Sequence, residues 1–178
     1  MPIFRGIFLN PTKIKNRIIY FVSYVENPEG LSEINDAILL YPSYPMAHME
    51  RGLLLWRMGR REEAARDWRK FIELGGFPML SSDDPALAPG AGLSPEQFLR
   101  TLIAQLEKCR AEGIFVSSFD LARFYAVLGE RSRALDHLEA TVDEHRPFAL
   151  CAKVHFVFRD LQDEPRYHAV LRRLKLER

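Results

Sequence analysis

The side chains that could do chemistry are few in this chain, and their spacing brings few of them together. Histidine occurs five times and cysteine twice. The nearest approach to a ligand pair is Cys151 followed by His155, which could offer one thiolate and one imidazole. Because a structural zinc site takes four ligands, we expect no metal and no other cofactor. The histidines, of which no two have HxxxH spacing, are His48, His137, His145, His155 and His168.

Serine and carboxylate residues form no recognisable catalytic motif. Ser117 and Ser118 stand close to Asp120, but neither lies in the GxSxG setting of a nucleophile. Paired acids such as Glu62 and Glu63 fall where helices are predicted to begin, and carboxylates there complement the helix dipole. We therefore expect a protein that is not an enzyme, and a small enzyme of unknown chemistry remains an alternative.

Composition and charge bound the class of protein. The chain has 178 residues, of which 47% are hydrophobic, and 25 basic against 24 acidic side chains give a formal net charge of +1. This balance provides no overall field to attract nucleic acid or an anionic membrane. Two cysteines without a CxxC pair fit a reducing compartment. The longest apolar run, residues 18–25, is far shorter than the roughly 20 residues that span a bilayer, so we expect a cytoplasmic protein that does not cross a membrane.

Apolar residues recur at three- and four-residue intervals over most of the chain, which predicts an all-α fold. Two helical hairpins are predicted, one with its turn at Gly59 and one with its turn at Gly129. Pro95 after Ser94 predicts the start of a long amphipathic helix. The predicted helices cover 47–58, 62–74, 94–113, 116–128 and 132–144, with a loop over 81–93 and a last helix from about Pro165.

The two predicted hairpins repeat one pattern. The segment that starts at Arg51 aligns with the segment that starts at Leu121, at a constant offset of 70 residues. That offset is close to twice the period of about 34 residues known for helical-hairpin repeats, which leaves room for one more unit between them. The small residues that coincide are Gly52 with Ala122, Gly59 with Gly129, and Ala64 with Ala134.

Residues 51–74 resemble a tetratricopeptide repeat. They carry that family's small residue in the first helix, a glycine at the turn, an Arg-Glu-Glu-Ala entry to the second helix and an aromatic residue one turn later. Residues 37–42 resemble the closing helix of an earlier unit. The last sixty residues resemble a recurrent ending of bacterial tetratricopeptide regions, in which a turn and a capping helix follow the final hairpin. The resemblance implies a short right-handed α-solenoid closed by residues 165–176.

The resemblance implies that the whole chain 1–178 is one domain of about three and a half hairpins. Its parts are a degenerate N-terminal unit (1–44), a clear repeat (45–76), a loop (77–93), a long helix (94–113), a second clear repeat (115–146), and a turn with the capping helix (147–178).

The resemblance implies a non-catalytic adaptor or scaffold that binds a protein or peptide in a concave groove lined by the first helices of the hairpins. A homo-oligomer is compatible with this function. The alternative is an RNA-associated helical repeat, because several arginines cluster between 57 and 69; their acidic neighbours make nucleic acid the less favoured partner. The expected groove residues are Met46, Met49, Leu53, Trp56, Arg57, Val116, Phe119, Arg123 and Val127.

Within the first hairpin, helical spacing separates two faces of the first helix. Gly52 is expected at the close contact with the second helix, which turns Met49, Leu53 and Trp56 toward the groove or the next hairpin. The same apolar residues would alternatively pack as core. Arg51 and Asp67 are expected to form an ion pair across the hairpin, a combination known from a variant of the repeat. Recognition of an acidic chaperone tail is not expected, because Met49 and Leu53 stand where the family's carboxylate clamps have Lys and Asn.

Overall fold

A computed structural model of the protein describes residues 28–81, 84–144 and 147–177. These residues form α-helices and short 3₁₀ helices, with no strand among them, which confirms the predicted all-α class. Most of the predicted N-terminal unit, including residues 18–25, lies outside the described residues, as do His145 and Arg146. The α-helices are α1 (Pro28–Leu40), α2 (Pro45–Arg57), α3 (Arg61–Glu73), α4 (Pro95–Ala111), α5 (Ser118–Leu128), α6 (Arg131–Asp143) and α7 (Pro165–Arg173). The 3₁₀ helices are Pro89–Ala91, Pro147–Lys153 and Phe156–Leu161.

The helices α2 to α6 begin and end within about two residues of the predicted bounds, and α7 begins at the predicted residue, whereas α1 begins at Pro28 and ends at Leu40, before the end of the closing helix expected over 37–42. Proline occupies the first turn of α2, α4 and α7, where its missing N–H costs no hydrogen bond. Ser94 caps α4 in a capping box, since its hydroxyl accepts from the Gln97 N–H and the Gln97 side chain accepts from the Ser94 N–H. The two hairpin turns contain Gly59 with φ 77° and Gly129 with φ 79°, left-handed conformations that glycine adopts without strain. The chain therefore reverses twice at the predicted glycines.

Each hairpin is a pair of closely packed helices, α2 with α3 and α5 with α6. In the first pair, Gly52 lies against the indole of Trp68, and a Cβ at position 52 would stand only 2.4 Å from its Nε1. This close approach confirms that Gly52 marks the face of α2 that meets α3. Ala64 and Ala134, the coinciding small residues of the second helices, have no exposed surface.

The two hairpins contact each other directly. Trp56 Nε1 donates to the Val127 carbonyl at 2.8 Å, and the Trp68 and Phe124 rings pack edge to face at 5.5 Å. No further hairpin separates them, so the extra unit for which the 70-residue offset left room is replaced by a loop and the single helix α4. That helix packs against both α3 and α5.

The C-terminal part closes the second hairpin. The 3₁₀ helix Phe156–Leu161 packs against α5, and α7 packs against α6. The Tyr167 hydroxyl donates to the Ala152 carbonyl at 2.8 Å, which ties α7 to the preceding segment. None of the helices in the described ranges combines the length and apolarity needed to cross a bilayer.

Candidate functional site

The residues expected to line a groove are mostly inside the protein. Met49 and Leu53 have no exposed surface, and Met46 and Arg57 are only partly exposed. The expectation of an open surface at these positions is wrong, and the alternative that they are core is correct for most of them. The buried members of the set are Met49, Leu53, Trp56, Val116, Phe119, Arg123 and Val127.

The cover on this face of α2 comes from distant parts of the chain. α5 packs along α2, and the 3₁₀ helix Phe156–Leu161 packs against α5. Arg57 pairs with Asp160 of that segment, and the Phe119 and Phe158 rings meet at 5.6 Å. The face that would have been a groove is therefore an interface between the two hairpins and the C-terminal segment.

Arg123, one of the expected groove residues, is a buried cation with two carboxylate partners. It pairs with Glu50 of α2 and with Asp120 of its own helix, and its guanidinium lies 5.2 Å from the centre of the Phe119 ring. Burial alone would raise the pKa of the Glu50 carboxyl, but the charge of Arg123 and contact with His155 outweigh it and lower this pKa to about 2. Burial opposes the charge on Arg123, and the two carboxylates together still raise its pKa. Both groups are therefore charged at neutral pH.

His155 completes this buried cluster as a neutral ring. Its Nδ1 accepts from the Val157 N–H at 3.5 Å, and its Nε2 lies 3.4 Å from Arg123 Nη1. Nε2 lies 3.3 Å from Glu50 Oε2, a favourable contact whose geometry falls short of a hydrogen bond. Burial lowers the pKa of His155, which keeps the ring uncharged beside Arg123.

This cluster joins α2, α5 and the C-terminal 3₁₀ region; Glu50, Arg123 and His155 are buried, and Asp120 is partly exposed. Sequence reasoning missed Glu50 and His155 as members of it. One signal was present, because Glu50 and Asp120 stand at corresponding positions of the two repeats and are both acidic. Its ion pairs connect elements that are remote in the chain, which supports a structural role for the cluster.

An open cleft lies on another face of α2, between α1 and α3. It has a volume of about 370 Å³ and is open on one side. None of the nine predicted groove residues lines it. The lining residues are Leu31 and Asn35 of α1, His48, Arg51 and Leu55 of α2, and Arg60, Glu63, Arg66, Asp67 and Lys70 in or next to α3.

The floor of the cleft is the predicted ion pair. Arg51 donates two hydrogen bonds to Asp67, from Nε to Oδ2 and from Nη2 to Oδ1, each 2.6 Å long. Arg51 Nη1 also donates to Asn35 Oδ1 at 2.8 Å, which links α1 to the pair. Burial would raise the pKa of Asp67, but hydrogen bonds from Arg51 and His48 lower it, so this carboxylate is charged. The pairing of Arg51 with Asp67 is confirmed.

His48 is a second partner of this carboxylate. Its Nδ1 lies 3.2 Å from Asp67 Oδ1 and its Nε2 lies 3.0 Å from the Pro42 carbonyl. Both partners are hydrogen-bond acceptors, so His48 links Asp67 of α3 to the turn before α2.

The rim of the cleft carries three further cations. Arg60 is held by two hydrogen bonds to Glu63, at 2.6 and 2.7 Å, and this contact lowers the pKa of Glu63. Lys70 Nζ donates to Glu73 at 2.7 Å. Arg66 is exposed and makes no hydrogen bond or ion pair with the described residues; its charge acts on Glu63 only at longer range.

Metal chemistry finds no support in the described parts of the chain, where no three His, Cys, Asp or Glu side chains gather as ligands. Comparison with models of known protein families, with curated proteins and with solved structures finds no match. The resemblance to tetratricopeptide repeats therefore stays a prediction that rests on the residues quoted for it.

Proposed function

We propose that the chain is a non-catalytic binding module that works in the cytoplasm as an adaptor and takes a protein or peptide in the cleft between α1 and α3. In this proposal the helices form a short right-handed solenoid of tetratricopeptide-like hairpins. The close contact of Gly52 with Trp68 and the direct packing of one hairpin on the next support that architecture. The observation that carries the function is the cleft, whose walls come from three helices.

The side chains of the cleft are preorganised for binding. Arg51 is held by Asp67 and Asn35 at once, so its side chain loses little further freedom when a partner binds. Leu31, which is partly exposed, provides apolar contact beside the charged groups. Its volume lies within the range of about 300–1,000 Å³ that ligand pockets occupy, and its open side admits part of a longer chain.

The test is affinity purification from host lysate with the full chain and two variants. The first carries Arg66→Glu and Lys70→Glu and changes the rim of the cleft; the second carries Arg172→Glu on α7, also exposed and unpaired among the described residues. We expect one polypeptide to be enriched by the wild type and by Arg172→Glu, and to be lost with the rim variant. Nuclease treatment should leave the capture unchanged.

Two results would contradict the proposal. Capture that survives in the rim variant would place binding outside the cleft. Capture that disappears after nuclease treatment would favour the RNA-associated alternative. Circular dichroism of the rim variant should match the wild type, because both substituted side chains reach solvent.

A further inference from the structure

We propose that the occupant of this cleft is an acidic peptide segment, in which Glu or Asp side chains alternate with aliphatic ones. This inference rests on the proposed function and specifies the partner's chemistry. It assigns recognition to a face of α2 other than the one that the resemblance to tetratricopeptide repeats implies.

The lining of the cleft carries an excess of positive charge. It includes four cationic side chains against two carboxylates, and His48 faces two acceptor oxygens. Both carboxylates are already matched within the protein, Asp67 by Arg51 and His48 and Glu63 by Arg60. They therefore repel an incoming anion far less than free carboxylates would, and the excess charge of the cleft is positive.

In the second hairpin, the residue that corresponds to Arg66 is also charged, and its charge is paired. At the 70-residue offset, Arg66 corresponds to Asp136. Asp136 accepts a hydrogen bond from Arg166 Nη2 at 2.7 Å, so its charge is met by the neighbouring helix α7. Arg66 has no such counterpart among the described residues. A carboxylate brought by a partner would give Arg66 what Arg166 gives Asp136.

The other two rim cations, Arg60 and Lys70, can also contact a carboxylate of the peptide. Arg60 and Lys70 are bound only to residues three positions away on the same exposed helix surface, and such pairs hold weakly in water. A second carboxylate of the peptide can therefore share these cations. Leu31, which lines the same space and is partly exposed, favours an aliphatic side chain between the two acidic ones.

The experiment uses a fluorescein-labelled peptide of alternating Leu and Glu, and its counterpart with Gln in place of Glu, in a fluorescence anisotropy titration of the full chain. We expect the Glu peptide to bind and the Gln peptide to bind at least about tenfold more weakly, because charge-assisted hydrogen bonds are lost. Arg66→Glu should weaken binding of the Glu peptide by about tenfold or more, and Arg172→Glu should leave it unchanged. Rising NaCl should weaken it further.

Other outcomes would overturn the inference. Equal binding of the two peptides, or an equal loss in Arg66→Glu and Arg172→Glu, would show that the cleft does not read acidic side chains. Free glutamate that competes at the same concentration as the peptide would indicate a site for small anions instead. If the cleft captures a host protein but neither peptide binds, the inference fails and the proposed function stands. Arg66→Gln, which only removes the charge, guards against an effect of reversal on folding.

Discussion

The two hairpins use the same surface in different ways. In the first, Leu55 and Asp67 line an open cleft beside α1. In the second, the corresponding residues are Tyr125 and His137, whose rings stack at 5.2 Å with an angle of 8° between their planes. Glu107 of α4 accepts from the Tyr125 hydroxyl at 3.2 Å and lies 3.0 Å from His137 Nε2. Aromatic residues and a carboxylate from the preceding helix thus join the helices at a place where the first hairpin leaves space.

The interiors of the hairpins differ as well. At the 70-residue offset, Gly52 and Trp68 of the first hairpin correspond to Ala122 and Leu138 of the second, so a larger residue at the first position accompanies a smaller one at the other. Leu53 becomes Arg123, and both are buried. Corresponding positions of a repeat can therefore hold an apolar residue or a charge, provided that the surrounding residues supply the partner.

The largest expected effect tests whether the Leu53 face is core. Leu53→Glu places a carboxylate where no surface is exposed, and we expect it to lower the free energy of unfolding by at least about 4 kcal/mol, enough to abolish a cooperative transition in a marginally stable domain. Leu150→Glu is the matched control, since Leu150 is 56% exposed and should change stability by less than about 0.5 kcal/mol. Thermal denaturation followed by circular dichroism measures both. An unchanged midpoint for Leu53→Glu would restore the groove that the resemblance implied.

The next effect concerns the buried charge that distinguishes the second hairpin. Arg123→Leu copies the residue of the first hairpin but leaves the Glu50 carboxylate buried without its cation, so we expect a loss of about 3–5 kcal/mol. The double variant Arg123→Leu with Glu50→Leu leaves only the partly exposed Asp120 without its cation and should recover most of that loss. Urea denaturation gives the two free energies. A double variant no more stable than the single one would mean that Glu50 does not depend on Arg123.

A smaller effect concerns the contact between α2 and α3. Gly52→Ala puts a methyl group 2.4 Å from Trp68 Nε1, and we expect a cost of about 1–3 kcal/mol. In a Trp68→Leu background, which copies the second hairpin, the added methyl should cost much less. Gly90→Ala is the control, because a Cβ there meets nothing within 4 Å. If Gly52→Ala lowered the free energy of unfolding equally in both backgrounds, the Trp68 indole would not be the reason for a glycine at position 52.

The smallest effect is a dependence of stability on pH. Burial lowers the pKa of His155 in the folded protein below the value of about 6.5 expected for the unfolded chain. The unfolded chain therefore binds the proton more readily, and stability should fall as the pH drops below about 6.5. His137 contributes in the same direction, because burial lowers its pKa too.

Midpoints measured between pH 8 and pH 5 in the wild type, His155→Gln and His137→Gln separate the two contributions. Each variant should show a shallower fall than the wild type. At lower pH a further loss should follow as the pH approaches 2, where Glu50 takes up its proton. A wild-type midpoint that rises on acidification from pH 7 would contradict the neutral, buried His155.

Much of the local structure could be predicted from the sequence. Apolar spacing predicted the helices, and Gly59 and Gly129 predicted their turns, because these signals act within a few residues along the chain. The pairing of Arg51 with Asp67 and the contact at Gly52 were also predictable, since both lie between helices joined by a short turn. At this range the packing of a hairpin depends on residues that are close together in the chain.

What only the tertiary structure decided is which face of α2 stays open. An apolar stripe such as Met49 and Leu53 looks the same in a sequence whether it lines a groove or is covered, and its cover comes from α5, some seventy residues later. Glu50 and Arg123 are separated by a similar number of residues along the chain, and His155 is further from Glu50 in the sequence still. Periodicity along a helix determines which residues share a face. Contacts between elements remote in the chain determine whether that face meets solvent, and these depend on packing that the local pattern does not record.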